Sequence, residues 1–166
     1  MYRGPDDGKH AVIGLRQPGD VVGISSALAG GRHYSTATPI GKFRLLKVPV
    51  SVFADLCTQD PDLLIRLTTR VSNQLRRLAE QVERIQLMQT TERLASYLLS
   101  LIADPQQSAE IRLPCDKGLI ATYLGMERES FSRSLKKLRT LGVVSKGRHI
   151  RISDPGALTR LCRQSN

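Results

Sequence analysis

The chain has 166 residues, room for one ordinary domain or two small ones but not for a large enzyme with inserted domains. Hydrophobic residues at 40% and charged residues at 24% exclude wholesale disorder and fibrous classes. Twenty-five Lys and Arg against fifteen Asp and Glu give a formal charge of +10, a balance that favours a polyanionic partner such as nucleic acid.

Residues 105 to 166 carry twelve basic and five acidic groups, so seven of the ten net positive charges sit in that segment. A basic C-terminal unit attached to a nearly neutral remainder is the asymmetry expected when one part grips a polyanion. The sequence contains no run of about 18 apolar residues, and the start, MYRGPDDGKH, has neither an apolar core nor a cleavage pattern. The expectation is a cytoplasmic protein with no membrane partner. Cys57, Cys115 and Cys162 stand far apart without a CxxC pair, which argues for reduced thiols rather than a disulfide framework or a local zinc site.

Residues 11 to 50 predict short strands. The stretches Ala11 to Leu15, Asp20 to Ile24 and Phe43 to Val48 are broken by Pro18-Gly19, Gly30-Gly31 and Pro39-Ile40-Gly41. Ser51 to Cys57, after Pro49, predicts a short helix. At Asp60-Pro61 the period changes, because Asp60 suits a cap and Pro61 the first helical turn, with no Gly or Pro until Pro105. Leu64, Val71, Leu75, Leu78, Val82 and Ile85 fall on alternating spacings of four and three, with Thr68 and Gln89 at the remaining seam positions. A helix from Leu63 to Met88 would be about 39 Å long at 1.5 Å per residue, and its narrow seam predicts a homodimer. The competing reading is an amphipathic helix packed on its own sheet. A second stripe, Leu94, Tyr97, Leu98, Leu101 and Ile102, ends before Asp104-Pro105, and Asp104 to Ser108 is a loop.

Glu110 to Pro114 predicts a strand, and Asp116 an N-cap for a helix over Lys117 to Leu124. Gly125 stands where a tight turn needs positive φ. A second helix, Arg128 to Leu141, keeps Phe131, Leu135, Leu138 and Leu141 on one face and Arg128, Glu129, Ser132, Arg133, Lys136 and Lys137 on the others. This is a helix-turn-helix pattern. Gly142 is its C-cap residue, and Val143 to Ile152 predicts a basic hairpin turning near Lys146-Gly147. By donor and acceptor chemistry, Arg133 matches the O6 and N7 of a guanine, Glu129 a cytosine N4, and Ser132 a thymine or adenine edge. Arg128, Lys136, Lys137, Lys146 and Arg148 are the cations expected at phosphates.

The stretch Asp116 to Ile152, with Ala121, Leu124-Gly125 and Arg128-Glu129-Ser130-Phe131-Ser132-Arg133, resembles the winged helix-turn-helix of the Crp/Fnr transcription regulators. Gly8-Lys9-His10 through Arg16-Gln17-Pro18-Gly19-Asp20-Val21-Val22-Gly23 resembles the later strands of that family's cyclic-nucleotide-binding-type β-roll, and Asp60-Pro61 onward its long dimerisation helix. The resemblance implies an α+β chain: residues 1–60 a partial effector-sensing antiparallel β-roll, 61–89 the dimerisation helix, and 90–166 a winged helix-turn-helix DNA-binding domain. It also implies further roll strands before this chain's first residue, double-stranded DNA and RNA polymerase as partners, and a homodimer on an inverted repeat. The pattern Glu129, Ser132, Arg133 is similar to the Fnr branch, which implies a TTGAT-like half-site.

Nucleotide-binding members carry a Glu after the Gly of the phosphate cassette and close it with an Arg-Ser pair. Here Ile24 follows Gly23 and Tyr34 precedes Ser35. A cyclic nucleotide would lose its ribose carboxylate and its phosphate guanidinium, so cyclic nucleotide binding is not expected and the effector is unassigned. Some Fnr-like regulators hold a haem or another gas-sensing cofactor, but His10, His33 and His149 form no metal-binding pair on a helix, and His33 or Cys57 would each be a lone ligand. No nucleophile, base and orienter assemble, so no enzyme is expected. The remaining alternative is a basic architectural protein that binds nucleic acid without sequence choice.

Overall fold

The computed structural model describes residues 1–3, 11–28, 30–31, 33–104 and 107–163. It divides into two compact units, Met1–Ala79 and Glu80–Asn166, with the boundary inside the long helix. Gly8, Lys9 and His10 lie outside the described residues, as do Pro105 and Gln106 of the expected 104–108 loop.

In the first unit, β1 (Tyr2–Arg3) pairs antiparallel with β2 (Ala11–Val12), and α1 (Ile24–Leu28), α2 (Val50–Gln59) and the start of α3 (Pro61–Leu87) follow. The strand expectations are only partly met. Extended pairing stops at Val12, and neither Asp20 to Ile24 nor Phe43 to Val48 forms a strand. The reason lies in where backbone groups are satisfied. Gly19, just before the first stretch, and Gly23, inside it, have φ of 87° and 86° and break its extension. Carbonyls at and beside it go to side chains of α3: Arg70 Nη1 donates to Gly19 O at 3.0 Å and Gln74 Nε2 to Val21 O at 3.3 Å, while Arg77 pairs with Asp20 at 2.9 Å. Ile24 already belongs to a five-residue helix that its β-branched neighbours did not announce. The helix expected at Ser51 to Cys57 is present as α2, one to two residues longer at each end.

Asp60 caps α3 as its chemistry predicts, its Oδ1 accepting from Leu63 N at 3.0 Å and its Oδ2 from Arg66. Of the expected seam residues, Leu64, Leu75, Val82 and Ile85 are exposed and Val71 and Leu78 half-buried. The polar residues that α3 does bury are Gln74 and Gln81.

The second unit has one contiguous core. After α3 come α4 (Thr90–Leu99), β3 (Ala109–Arg112), α5 (Lys117–Tyr123), α6 (Arg128–Leu138), a 3-10 turn (Arg139–Leu141), β4 (Val143–Lys146), β5 (His149–Ile152) and α7 (Pro155–Arg163). Glu92 folds back to accept from Gln89 N at 2.9 Å, which starts α4 where the long helix stops. Leu94 and Leu98 of α4, Ile120 of α5, Phe131 and Leu138 of α6 and Leu158 of α7 are almost fully buried. Filling such positions contributes roughly 1.5–3 kcal/mol each. The sheet order is β3-β5-β4, all antiparallel, with Ile111 opposite Ile150 and Val143 opposite Ile152. Helix α7 had no counterpart in the sequence reading. Its start is nonetheless signalled by Asp154-Pro155, where Asp154 Oδ1 accepts from Ala157 N at 3.0 Å.

Candidate nucleic-acid interface

Helix α5 starts at Asp116, whose Oδ1 accepts from Leu119 N at 2.9 Å, and it ends at a turn through Gly125, φ 63°. That turn lets α6 leave in a new direction while Ile120, Ala121, Leu124 and Phe131 stay buried. Helix α6 therefore has a fixed inner face, Phe131, Ser134 and Leu138, and an outer face on which Arg128, Glu129, Ser132, Arg133, Lys136 and Lys137 are all exposed. The helical period brings Glu129, Ser132 and Arg133 together within one turn. Arg133 Nη2 donates to Ser130 Oγ at 3.2 Å.

The five expected phosphate cations are not alike. Lys136, Lys137 and Lys146 are exposed. The Arg128 guanidinium lies over Gly118, where an added Cβ would meet its Nε at 2.7 Å. Arg148 sits on the backbone that leads into α5: its Nε and Nη2 donate to Leu113 O at 3.0 and 2.7 Å, and Nη2 also to Pro114 O at 2.8 Å. It braces the wing against the helix-turn-helix, and only Nη1 stands outside these bonds.

Two positioning residues escaped the sequence reading. Arg93 Nη1 donates to the carbonyls of Leu124 at 2.9 Å and Gly125 at 3.1 Å, and Gln81 Nε2 to Tyr123 O at 3.0 Å. Together they satisfy consecutive carbonyls at the end of α5, where a helix leaves them without intrahelical partners. No spacing rule could have found them, because each is a single polar residue on a helix that faces a turn about 30 to 40 residues later.

The stretch from Gly23 to Tyr34 offers little to a nucleotide. Met1, Arg16, Gly23, Ile24, His33 and Gln74 are among the residues lining a cavity of about 60 Å³, against roughly 300–1,000 Å³ for ordinary ligand sites. Ile24 and Tyr34 place neither a carboxylate nor a guanidinium there, and the guanidinium on the cavity wall is that of Arg16. Among the described residues no group of three or more His, Cys, Asp or Glu is placed to hold a metal ion. Burial pushes the Cys115 and Cys162 thiols above their ordinary range, opposite to what a nucleophile or metal ligand needs. Among the described residues no helix is long and apolar enough to cross a membrane.

Comparison with known proteins agrees with this geometry. The model of the Crp-like helix-turn-helix domain matches residues 92–161, from the start of α4 into α7. The chain is 29% identical over 165 residues to the anaerobic regulatory protein of Pasteurella multocida (strain Pm70), covering 96% of this chain and 60% of that protein. It is 27% identical to the fumarate and nitrate reduction regulatory protein of Escherichia coli (strain K12), covering 96% and 66%. It spans 60 to 64% of the length of three of the curated relatives it matches. Among solved structures, a candidate cAMP-binding regulatory protein from Silicibacter pomeroyi DSS-3 is 30% identical with a TM-score of 0.61, covering 97% of this chain and 72% of that one. The matched helix-turn-helix, relatives aligned along nearly the whole chain and a shared α+β fold together place the chain in the Crp/Fnr family of transcription regulators.

Proposed function

We propose that the chain regulates transcription by binding DNA as a homodimer, at an inverted repeat with TTGAT-like half-sites. The observation that carries this reading is the outer face of α6, where Glu129, Ser132 and Arg133 stand exposed on a helix whose other face is locked into a core by Phe131, Ser134 and Leu138. That is the arrangement that lets a helix enter a major groove with a defined set of donors and acceptors.

Arg133 pairs with a guanine, Glu129 with a cytosine amine, and Ser132 packs on a neighbouring edge. Lys136, Lys137 and Lys146 hold phosphates, joined by Arg128 and by the Nη1 group of Arg148. The exposed apolar positions Leu64, Leu75, Val82 and Ile85 support a two-helix seam, completed by the half-buried Val71 and Leu78. The regulatory names of the relatives support a signal-responsive role in the cytoplasm, with RNA polymerase as a downstream partner, and Ile24 and Tyr34, which stand where a carboxylate and a guanidinium would be needed, support an effector other than a cyclic nucleotide.

Footprinting on promoter fragments tests the reading. A short protected palindrome is the expected result. Uniform coverage of the fragment would overturn it in favour of a basic architectural protein.

A further inference from the structure

The buried face of α6 carries a polar residue, Ser134, between the apolar anchors Phe131 and Leu138, and it is 2% exposed. Its hydroxyl is out of reach of water, so it bonds inside the protein or costs the fold its desolvation. The partners it has among the described residues are both on α4: Thr91 Oγ1 donates to Ser134 Oγ at 3.3 Å, and Ser134 Oγ donates to Thr90 Oγ1 at 3.4 Å. Thr90 and Thr91, both half-buried, are the first two residues of α4, directly after the reciprocal cap that Gln89 and Glu92 make where the long helix stops. Three hydroxyls therefore tie the middle of α6 to the first turn of α4.

From this arrangement we infer that Ser134, with Thr90 and Thr91, is a positioning residue for base readout: it fixes the roll of α6, and so sets how well Glu129, Ser132 and Arg133 meet their bases, without touching DNA itself. Phe131 and Leu138 hold the helix by apolar contact, which is non-directional and leaves it free to roll on its bed. A hydrogen bond weakens steeply with angle, so a hydroxyl chain at the centre of the buried face resists that roll. Side-chain tips on the outer face lie roughly 6 Å from the helix axis. A roll of about 10° therefore carries Glu129 and Arg133 sideways by about 1 Å, twice the roughly 0.5 Å within which a recognition geometry has to be held. Phosphate contacts are indifferent to such a shift, because a lysine on its flexible stem follows a phosphate as a point charge. This inference rests on the DNA-binding reading above.

The test titrates the whole chain on two duplexes, the inverted repeat of TTGAT-like half-sites and a scrambled duplex of equal length. Ser134→Ala removes the hydroxyl but supplies a better helix former, so its thermal melt stays close to that of the unmodified chain. Its affinity for the matched duplex falls about tenfold, within what one good base contact discriminates, while its affinity for scrambled DNA is unchanged. T90V/T91V, which keeps the side-chain shape and removes the other two hydroxyls, gives the same loss. The triple variant is no worse than either, as groups that act as one unit require, and T90S/T91S, which keeps the hydroxyls, binds as the unmodified chain does. Full discrimination in Ser134→Ala or in T90V/T91V overturns the inference but leaves the DNA-binding reading intact. So does an equal loss on matched and scrambled DNA, which makes the cluster a packing feature only, and so does a triple variant whose loss is the product of the other two. If Ser134→Ala fails to fold, T90V/T91V against T90S/T91S decides by the same two affinities. An unmodified chain that does not distinguish the two duplexes overturns both this inference and the base-reading proposal.

Discussion

Among the described residues the Arg133 guanidinium is held by Ser130 Oγ, at 3.2 Å, and a single hydroxyl acceptor on an exposed helix face is easily exchanged for a better one. A guanine offers O6 and N7 in the plane that a guanidinium matches with two parallel bonds. Glu129, four residues earlier on the same face, is not paired with Arg133 among the described ion pairs. Both groups therefore remain available to bases. Arg133→Ala is expected to cost about 1–3 kcal/mol on the matched site and little on scrambled DNA. Lys136→Ala is expected to weaken both alike and to flatten the salt slope by about one. Fluorescence anisotropy with the two duplexes over a salt series measures all four quantities. Equal losses on matched and scrambled DNA for Arg133→Ala would make that arginine a phosphate clamp. Arg148 shows where residue type misleads: charge and position in a basic hairpin suggest a phosphate ligand, but two of its nitrogens hold the carbonyls of Leu113 and Pro114.

At the scale of elements, the long helix is the clearest case of a surface left open. Leu75 is 67% exposed and Val82 52% exposed, one turn-pair apart on the same stripe and left largely open by the described residues of their own chain. Covering such side chains in a two-helix seam contributes roughly 1.5–3 kcal/mol each, whereas aspartates there would bury unpaired charge. L75D/V82D is expected to remain folded, because both positions are outside the core, and to sediment as a monomer at micromolar concentration. A dimer that survives both changes would move the interface elsewhere.

The same elements show how far the sequence could be read. Helices α3, α5 and α6 and the hairpin β4–β5 were legible because local signals agree with the final structure: Asp60 and Asp116 cap, Gly125, Gly142 and Gly147 take positive φ, and in α5 and α6 the apolar period matches the buried face. Asp20 to Ile24 and Phe43 to Val48 carry β-branched or apolar residues but find no ladder partner. The first hands its carbonyls to α3, and the second leaves Leu45 and Leu46 exposed. Strand formation depends on a partner elsewhere in the chain, which composition does not reveal. The exposed polar face of α6 was visible from period and residue type. The bracing by Gln81 and Arg93 was not, since it depends on which turn happens to lie opposite.

For the whole molecule, the charge is concentrated where the proposed contacts are: residues 105 to 166 hold twelve of the twenty-five basic groups and five of the fifteen acidic ones. In the proposed homodimer, two copies related by a two-fold axis would present two α6 helices to one face of a duplex, about one helical turn or 34 Å apart. On that reading each copy would take one half-site, and the symmetry of the site would follow from that of the dimer. Spacing is then a geometric requirement and not a preference. Inserting about five base pairs between the half-sites turns the second one by half a helical turn, to the far side of the duplex. The dimer must then release one half-site or twist the DNA. Binding is expected to fall to the level of a duplex with a single half-site. Inserting about ten base pairs restores the facing but not the distance, and is expected to recover little, because the helices are fixed to their cores by Phe131 and Leu138, each at most 2% exposed. Gel-shift titration of the three duplexes separates these outcomes. Undiminished affinity after the five-pair insertion would mean that each copy binds DNA independently, and that the seam on α3 plays no part in choosing the site.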